Sequence, residues 1–161
     1  MENAVKAMYI AAGVLIGILI LTLGVTLFTS LQSYVESSKD QIRFNDINSF
    51  NAKFTGYINS NDGQSTTFDL VIQDVISAAN LAYENNVQLN YDAYKSHDAP
   101  QPESGNLFVA VYLDGNRVDG TDTKEVLSAN TGITRYICSS TDIKYNENSG
   151  RVCEVWFKKL A

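Results

Sequence analysis

The chain has 161 residues, with 12 Lys and Arg against 18 Asp and Glu, and a formal charge of −6. That length suits one ordinary domain, or a smaller domain plus an appendage. The acidic balance argues against a nucleic-acid binder, which needs a basic stripe to displace counterions, and two cysteines with a single histidine exclude a Cys/His zinc cluster built within one chain.

From Ala7 to Thr29 there is no charged residue. As a helix that stretch is about 35 Å long, enough to cross a hydrocarbon core of about 30 Å. A cleaved signal peptide is the alternative, but its apolar region is usually only about 7–15 residues long. A core helix buried on all sides would need a larger domain around it than the remaining residues supply. Lys6 lies before the span, and Glu36, Lys39 and Asp40 follow it. Positive-inside logic then places the N-terminus in the cytoplasm and the bulk of the chain outside.

Within the span, Gly13 and Gly17 form a G-x-x-x-G pair and Gly24 follows seven residues later. At helical spacing the three share a face, where small residues let another helix backbone come close. Glycine is also simply common in membrane helices. Beyond Thr29 the apolar positions Leu31, Tyr34, Val35, Ile42, Phe44, Ile47, Phe50, Phe54 and Tyr57 mostly keep a three-to-four spacing, with polar residues between them and no proline before Pro100. The spacing predicts one helix over 1–57, of which 7–29 is the apolar part. A break at Ser37–Asp40 is the other option.

Residues 58–161 are expected to form a globular head. Asn59 to Gly63 is a turn cluster. A second helix is expected from about Asp69 to Asn85, capped by Thr66 or Thr67, with Val71, Val75, Ala78, Ala79 and Ala82 on one face and Asn85-Asn86 ending it. Its small residues suit close packing, most simply on the amphipathic half of the first helix. Val87–Tyr91 reads as a short strand, and Ser96–Gly105, with His97, Pro100 and Pro102, as a loop. Leu107–Leu113 is apolar on both faces and so reads as a central strand. Asp114-Gly115 is a turn, and Thr123–Ala129 a short helix capped by Thr121, Asp122 or Thr123. Arg135–Tyr145 and Arg151–Lys159 are the last two strands, joined through Asn146–Gly150. The fold class is α+β, with a long N-terminal helix, a second helix and a small antiparallel sheet.

Two readings stay open for Cys138 and Cys153. Outside the cytoplasm they would be oxidised to each other. A tight hairpin about Asn148, however, sets Cys138 opposite Lys158 and Cys153 opposite Ile143, with the sulfurs roughly 15 Å apart, so a disulfide needs an irregular connection and the alternative is two free thiols.

Little in the chain points to catalytic chemistry. His97 sits among polar residues and reads as a surface histidine, and no nucleophile elbow or phosphate loop is present. The run Asp114–Glu125 has calcium-loop residues at positions one, three, nine and twelve. Val118 takes a ligand position and Asp119 replaces the required glycine, and two Asp-Gly turns explain the same residues. No cofactor, metal or catalytic residue is expected, and the chain is not read as an enzyme.

The order of elements resembles a type IV pilin or related pilin-like subunit: an apolar N-terminal helix, its amphipathic continuation, a sheet-bearing head, and two cysteines enclosing the last loop. The likeness covers the whole chain as architecture and only the first thirty residues as sequence. It implies a helix that waits in the membrane and then packs with copies of itself in a filament core, with heads outside and a disulfide closing the C-terminal loop. Such pilins are cut from a basic leader and usually carry a glutamate at the fifth mature position. Here Val5 stands at residue five and the acid is Glu2, so either the numbering starts at a mature end or the subunit is processed differently. Glu2 could pair with the amine of a neighbouring Met1, or sit at the helix end facing water. The expected role is an extracellular filament subunit whose partners are copies of itself, inserted in the cytoplasmic membrane before assembly. The alternative is a single-pass anchored protein with an extracytoplasmic partner-binding or secretion-accessory head.

Overall fold

A computed structural model describes residues 2–61, 66–89, 107–120, 122–130 and 134–160. The expected loop Ser96–Gly105 with His97, the end of the expected strand at Tyr91, the Asp62-Gly63 end of the first turn cluster and the candidate cap Thr121 lie outside these residues. The chain divides into two compact units, Met1–Asn45 and Asp46–Ala161.

Helix α1 runs unbroken from Glu2 to Thr55, including Ser37–Asp40. No proline or mid-run turn signal interrupts it. Past its last turn the chain tightens: the Gly56 N–H still reaches the Ala52 carbonyl, while Tyr57 and Ile58 bond to carbonyls only three residues back, those of Phe54 and Thr55. Through residue 45 every large apolar side chain of α1 is exposed, Leu31, Tyr34, Val35, Ile42 and Phe44 included. The end of the expected amphipathic stretch packs into the head core. Phe54 is fully buried, and Phe50, with its ring 5.4 Å from that of Phe54, packs beside the core.

The head, from Asp46 onward, is α+β with a small mixed sheet. Helix α2 spans Ile72–Leu89. It starts later than the sequence suggests because Thr67 is engaged elsewhere, its N–H and hydroxyl both donating to the Asn59 carbonyl. The Asp74 carboxylate does the capping instead, accepting the Val71 N–H. The helix also continues through Asn85-Asn86, so Val87–Leu89 are helical rather than strand. Asn86 is held there by tertiary bonds that outweigh its low helix propensity.

Strand β1 (Ala110–Leu113) and β2 (Asn116–Arg117) form a hairpin. Asp114 and Gly115 turn it with φ of 48° and 86°, the left-handed pair that Asp-Gly adopts in two-residue hairpins. Helix α3 (Thr123–Ala129) is capped by Asp122, whose side chain accepts the Lys124 N–H. The expected strand Arg135–Tyr145 is split. Strand β3 (Tyr136–Ile137) gives way to a 3₁₀ turn at Ser140–Asp142, and β4 (Ile143–Tyr145) follows. Strand β5 (Val152–Lys159) closes the chain. It pairs parallel with β1 and antiparallel with both β3 and β4, giving the order β2-β1-β5-β3 with β4 also on β5. The sheet is therefore mixed, not antiparallel as expected. The last strand inserts beside β1 rather than only folding back on its hairpin partner.

The core lies between α2 and the sheet. Val75, Ala78, Ala79 and Ala82 are buried together with Val109, Val111, Tyr136, Val155, Phe157 and Phe54. The alanine face of α2 lies against β1 of the sheet, and Phe54, at the end of the first helix, is buried in the same cluster.

Three asparagines complete the backbone bonding. Asn51 of α1 donates to the Gly150 carbonyl at 2.9 Å and accepts the Val152 N–H at 2.8 Å. Asn59 donates to the Tyr136 and Phe68 carbonyls and accepts the Cys138 N–H at 2.9 Å. Asn86 takes both the N–H and the carbonyl of Val109, at 2.8 and 2.7 Å. A side-chain amide carries the same donor–acceptor pair as a peptide, so each substitutes for a missing strand neighbour where the ladder ends. Asn59 and Asn86 are fully buried.

Candidate membrane and assembly face of the N-terminal helix

In the first unit, α1 is long and apolar enough to cross a membrane, and none of its apolar window is buried within the chain. Four hydroxyl side chains in and just after that window bond to their own helix. Thr22, Thr26, Thr29 and Ser33 each return their hydroxyl proton to a carbonyl four residues back, those of Ile18, Thr22, Val25 and Thr29, at 2.8–3.2 Å. In an apolar medium an unmatched hydroxyl is costly. Here each is satisfied before any neighbour arrives.

Gly13, Gly17 and Gly24 all lie on this helix, and a Cβ built on any of them meets nothing within 4 Å. Among the described residues nothing requires them to be small. At 3.6 residues per turn they fall within about 40° of one another. Leu31, Val35 and Ile42, each about half exposed or more, fall in the same sector. The glycine face thus continues as an aliphatic stripe beyond the apolar run, a feature the spacing of the sequence carries.

Glu2 stands in the first turn, where the helix dipole favours it. Its carboxylate lies 2.9 Å from Lys6 Nζ, four residues on, and both side chains are exposed. The charge thus has a partner in its own helix, one that neither sequence-based option named.

The head shows how its own chemistry-bearing residues are occupied. Cys138 and Cys153 are free thiols, so the disulfide expected from the resemblance is not formed. The register is the reason. Ile137 faces Lys158 and Ile143 faces Val155, which leaves the cysteines about four β5 residues apart, roughly 13 Å and beyond disulfide reach. Cys153 falls at the register shift between Lys144 and Tyr145. Burial pushes the Cys138 thiol up to about 12, with the Asp142 carboxylate adding to the rise.

The acids of Asp114–Glu125 are committed separately. Asp114 accepts the Lys159 N–H. Asp119, buried, takes the Arg117 guanidinium through both oxygens at 2.7 and 2.8 Å and also the Val111 N–H. Asp122 caps α3.

One cluster escaped the sequence reading. Phe50, Lys53, Phe54, Leu81, Glu84, Asn85, Gln88 and Arg151 line a cleft of about 200 Å³. The Arg151 guanidinium lies 3.7 Å from the Phe50 ring centre, and its Nη2 donates to Asn85 at 3.1 Å. Residues a hundred positions apart meet there, so no local pattern could announce it.

Comparison with known proteins adds no relative: no family model, no curated protein and no solved structure matches the chain.

Proposed function

We propose that this chain is a structural subunit of a pilus-like extracellular filament, inserted in the cytoplasmic membrane with its head outside and polymerising through α1. The observation that carries the reading is the first unit of the molecule. Twenty-three successive uncharged residues form helix that no described residue covers, and among the described residues nothing packs close enough to the glycines of one face to require glycine there. Such a surface needs lipid or other helices, and small residues favour close backbone approach by a second helix. The pilin-like order of long helix, second helix and small sheet supports the same reading. The role is structural rather than catalytic.

The test is negative-stain microscopy of material sheared from the cell surface, with mass spectrometry of the filaments. Filaments built from this chain are expected. The second reading, a monomeric anchored protein with a partner-binding head, draws on the self-satisfied hydroxyls, which suit lipid equally well. Recovery of the chain only as a detergent-soluble monomer would favour it.

A further inference from the structure

We propose that the cleft beside Phe50 docks the helix face carrying Glu36 and Asp40 of a second copy of this chain. The inference rests on the filament reading and names a contact within it.

The cleft presents two cations, Lys53 and Arg151, against one carboxylate, Glu84, over an aromatic floor of Phe50 and Phe54. Arg151 is half-buried, and its hydrogen-bond and ring partners, Asn85 and Phe50, are both neutral. Burial lowers its pKa, the mark of a guanidinium that has lost water, though arginine stays charged. A partly desolvated cation gains most from an added carboxylate, because its charge is poorly screened. Among the described residues neither Arg151 nor Lys53 has an ion-pair partner.

The occupant follows from charge. Glu36 and Asp40 lie four apart on an exposed helix face with Ser33, Ser37, Gln41 and Phe44. Two like charges at that spacing repel, and neither has an ion-pair partner among the described residues. The face supplies two carboxylates, short hydroxyls and one ring, Phe44, which is 64% exposed. That set complements two cations, the amide of Gln88 and an aromatic floor. Because the two surfaces differ, the contact is heterologous. Repeated head to tail it builds an open helical assembly rather than a closed dimer.

The experiment uses two differently tagged full-length copies produced together, one with Ser37→Cys and the other with Glu84→Cys, both with Cys153→Ser, which keeps the two cations and the two carboxylates in place. Membranes and sheared surface material are treated with a short bismaleimide. A mixed cross-linked dimer is expected. Adding Glu36→Lys to the Ser37→Cys copy should lower its yield at least tenfold. All of these changes except Cys153→Ser fall on exposed helix positions and leave the core untouched. Absence of the mixed dimer, or a yield indifferent to Glu36→Lys, overturns the docking contact. Mixed dimers without any filaments in the microscope would retain the contact and overturn the filament reading instead.

Discussion

The two units of this molecule solve opposite problems. In the head, aliphatic side chains are removed from water by one another, and the backbone groups left over at sheet ends are matched by Asn51, Asn59 and Asn86. In residues 2–45 no side chain is buried. The helix satisfies its own hydrogen bonds, down to its threonine hydroxyls, and leaves its apolar surface for something else to cover. The lesson is that a region can be complete in hydrogen bonding and still incomplete in burial. That combination suits a segment passing between lipid and a protein core, since both media demand internal hydrogen bonding.

The comparison breaks most sharply at the head's own supports. Asn59→Ala leaves the Cys138 N–H and the Tyr136 and Phe68 carbonyls without their partner. At about 1–3 kcal/mol for each stranded buried group, the expected loss is about 4 kcal/mol, a large share of the stability of an ordinary domain. Urea unfolding of the detergent-solubilised chain would measure it. The reporter is Trp156, the single tryptophan, whose ring stacks 4.1 Å from Tyr112. A shift under 1 kcal/mol would mean that the amide is not a strand substitute. Phe54→Ala should cost about 3–5 kcal/mol by the same assay, being a fully buried ring.

Gly17→Leu sharpens the comparison from the other side. It should abolish filaments by holding helices apart, while changing head stability by less than about 0.5 kcal/mol, since a side chain there meets none of the described residues. Normal filaments from this variant would remove the glycine face from the assembly reading.

A smaller effect is alkaline. Burial raises the Cys138 thiol from 9.0 to about 12. Below pH 9 the thiol is protonated in the folded and unfolded states alike, so its contribution is full. Above that the unfolded state ionises first, and stability falls until the folded thiol titrates near 12. Cys138→Ala should flatten the fall between those limits in a urea series against pH. A thiol reagent should modify Cys153 before Cys138 in the folded protein, and two reactive thiols per denatured, unreduced chain are expected. A count of zero would restore the disulfide.

The smallest effect expected is on Glu2. Its partner is Lys6 of its own exposed first turn, so Glu2→Ala should leave the head unchanged and lower filament yield only modestly. Complete loss of assembly in that variant would mean that the carboxylate has a partner in another copy.

Local pattern made much of this legible. The absence of charge from Ala7 to Thr29, the lack of a helix breaker, the Asp-Gly turn at 114–115 and the Asp122-capped helix at 123–129 each depend on neighbours in sequence, and each formed where expected. What failed depends on distant neighbours. Asn85-Asn86 signals a helix end, yet α2 runs through it because Asn86 gains Val109 and Asp119 as partners. The hairpin register that set the cysteines opposite Lys158 and Ile143 was displaced, because the Ser140–Asp142 turn takes residues out of the ladder and the strand slips at Cys153.

A long apolar helix with a glycine face and an α+β head could be read from the residues alone, because helix and turn energetics are short-range. Only the tertiary structure decided that β5 lies parallel to β1, that three amides finish the sheet, and that Lys53 and Arg151 share a cleft. Those outcomes rest on contacts among residues tens of positions apart, whose free energy no local spacing records.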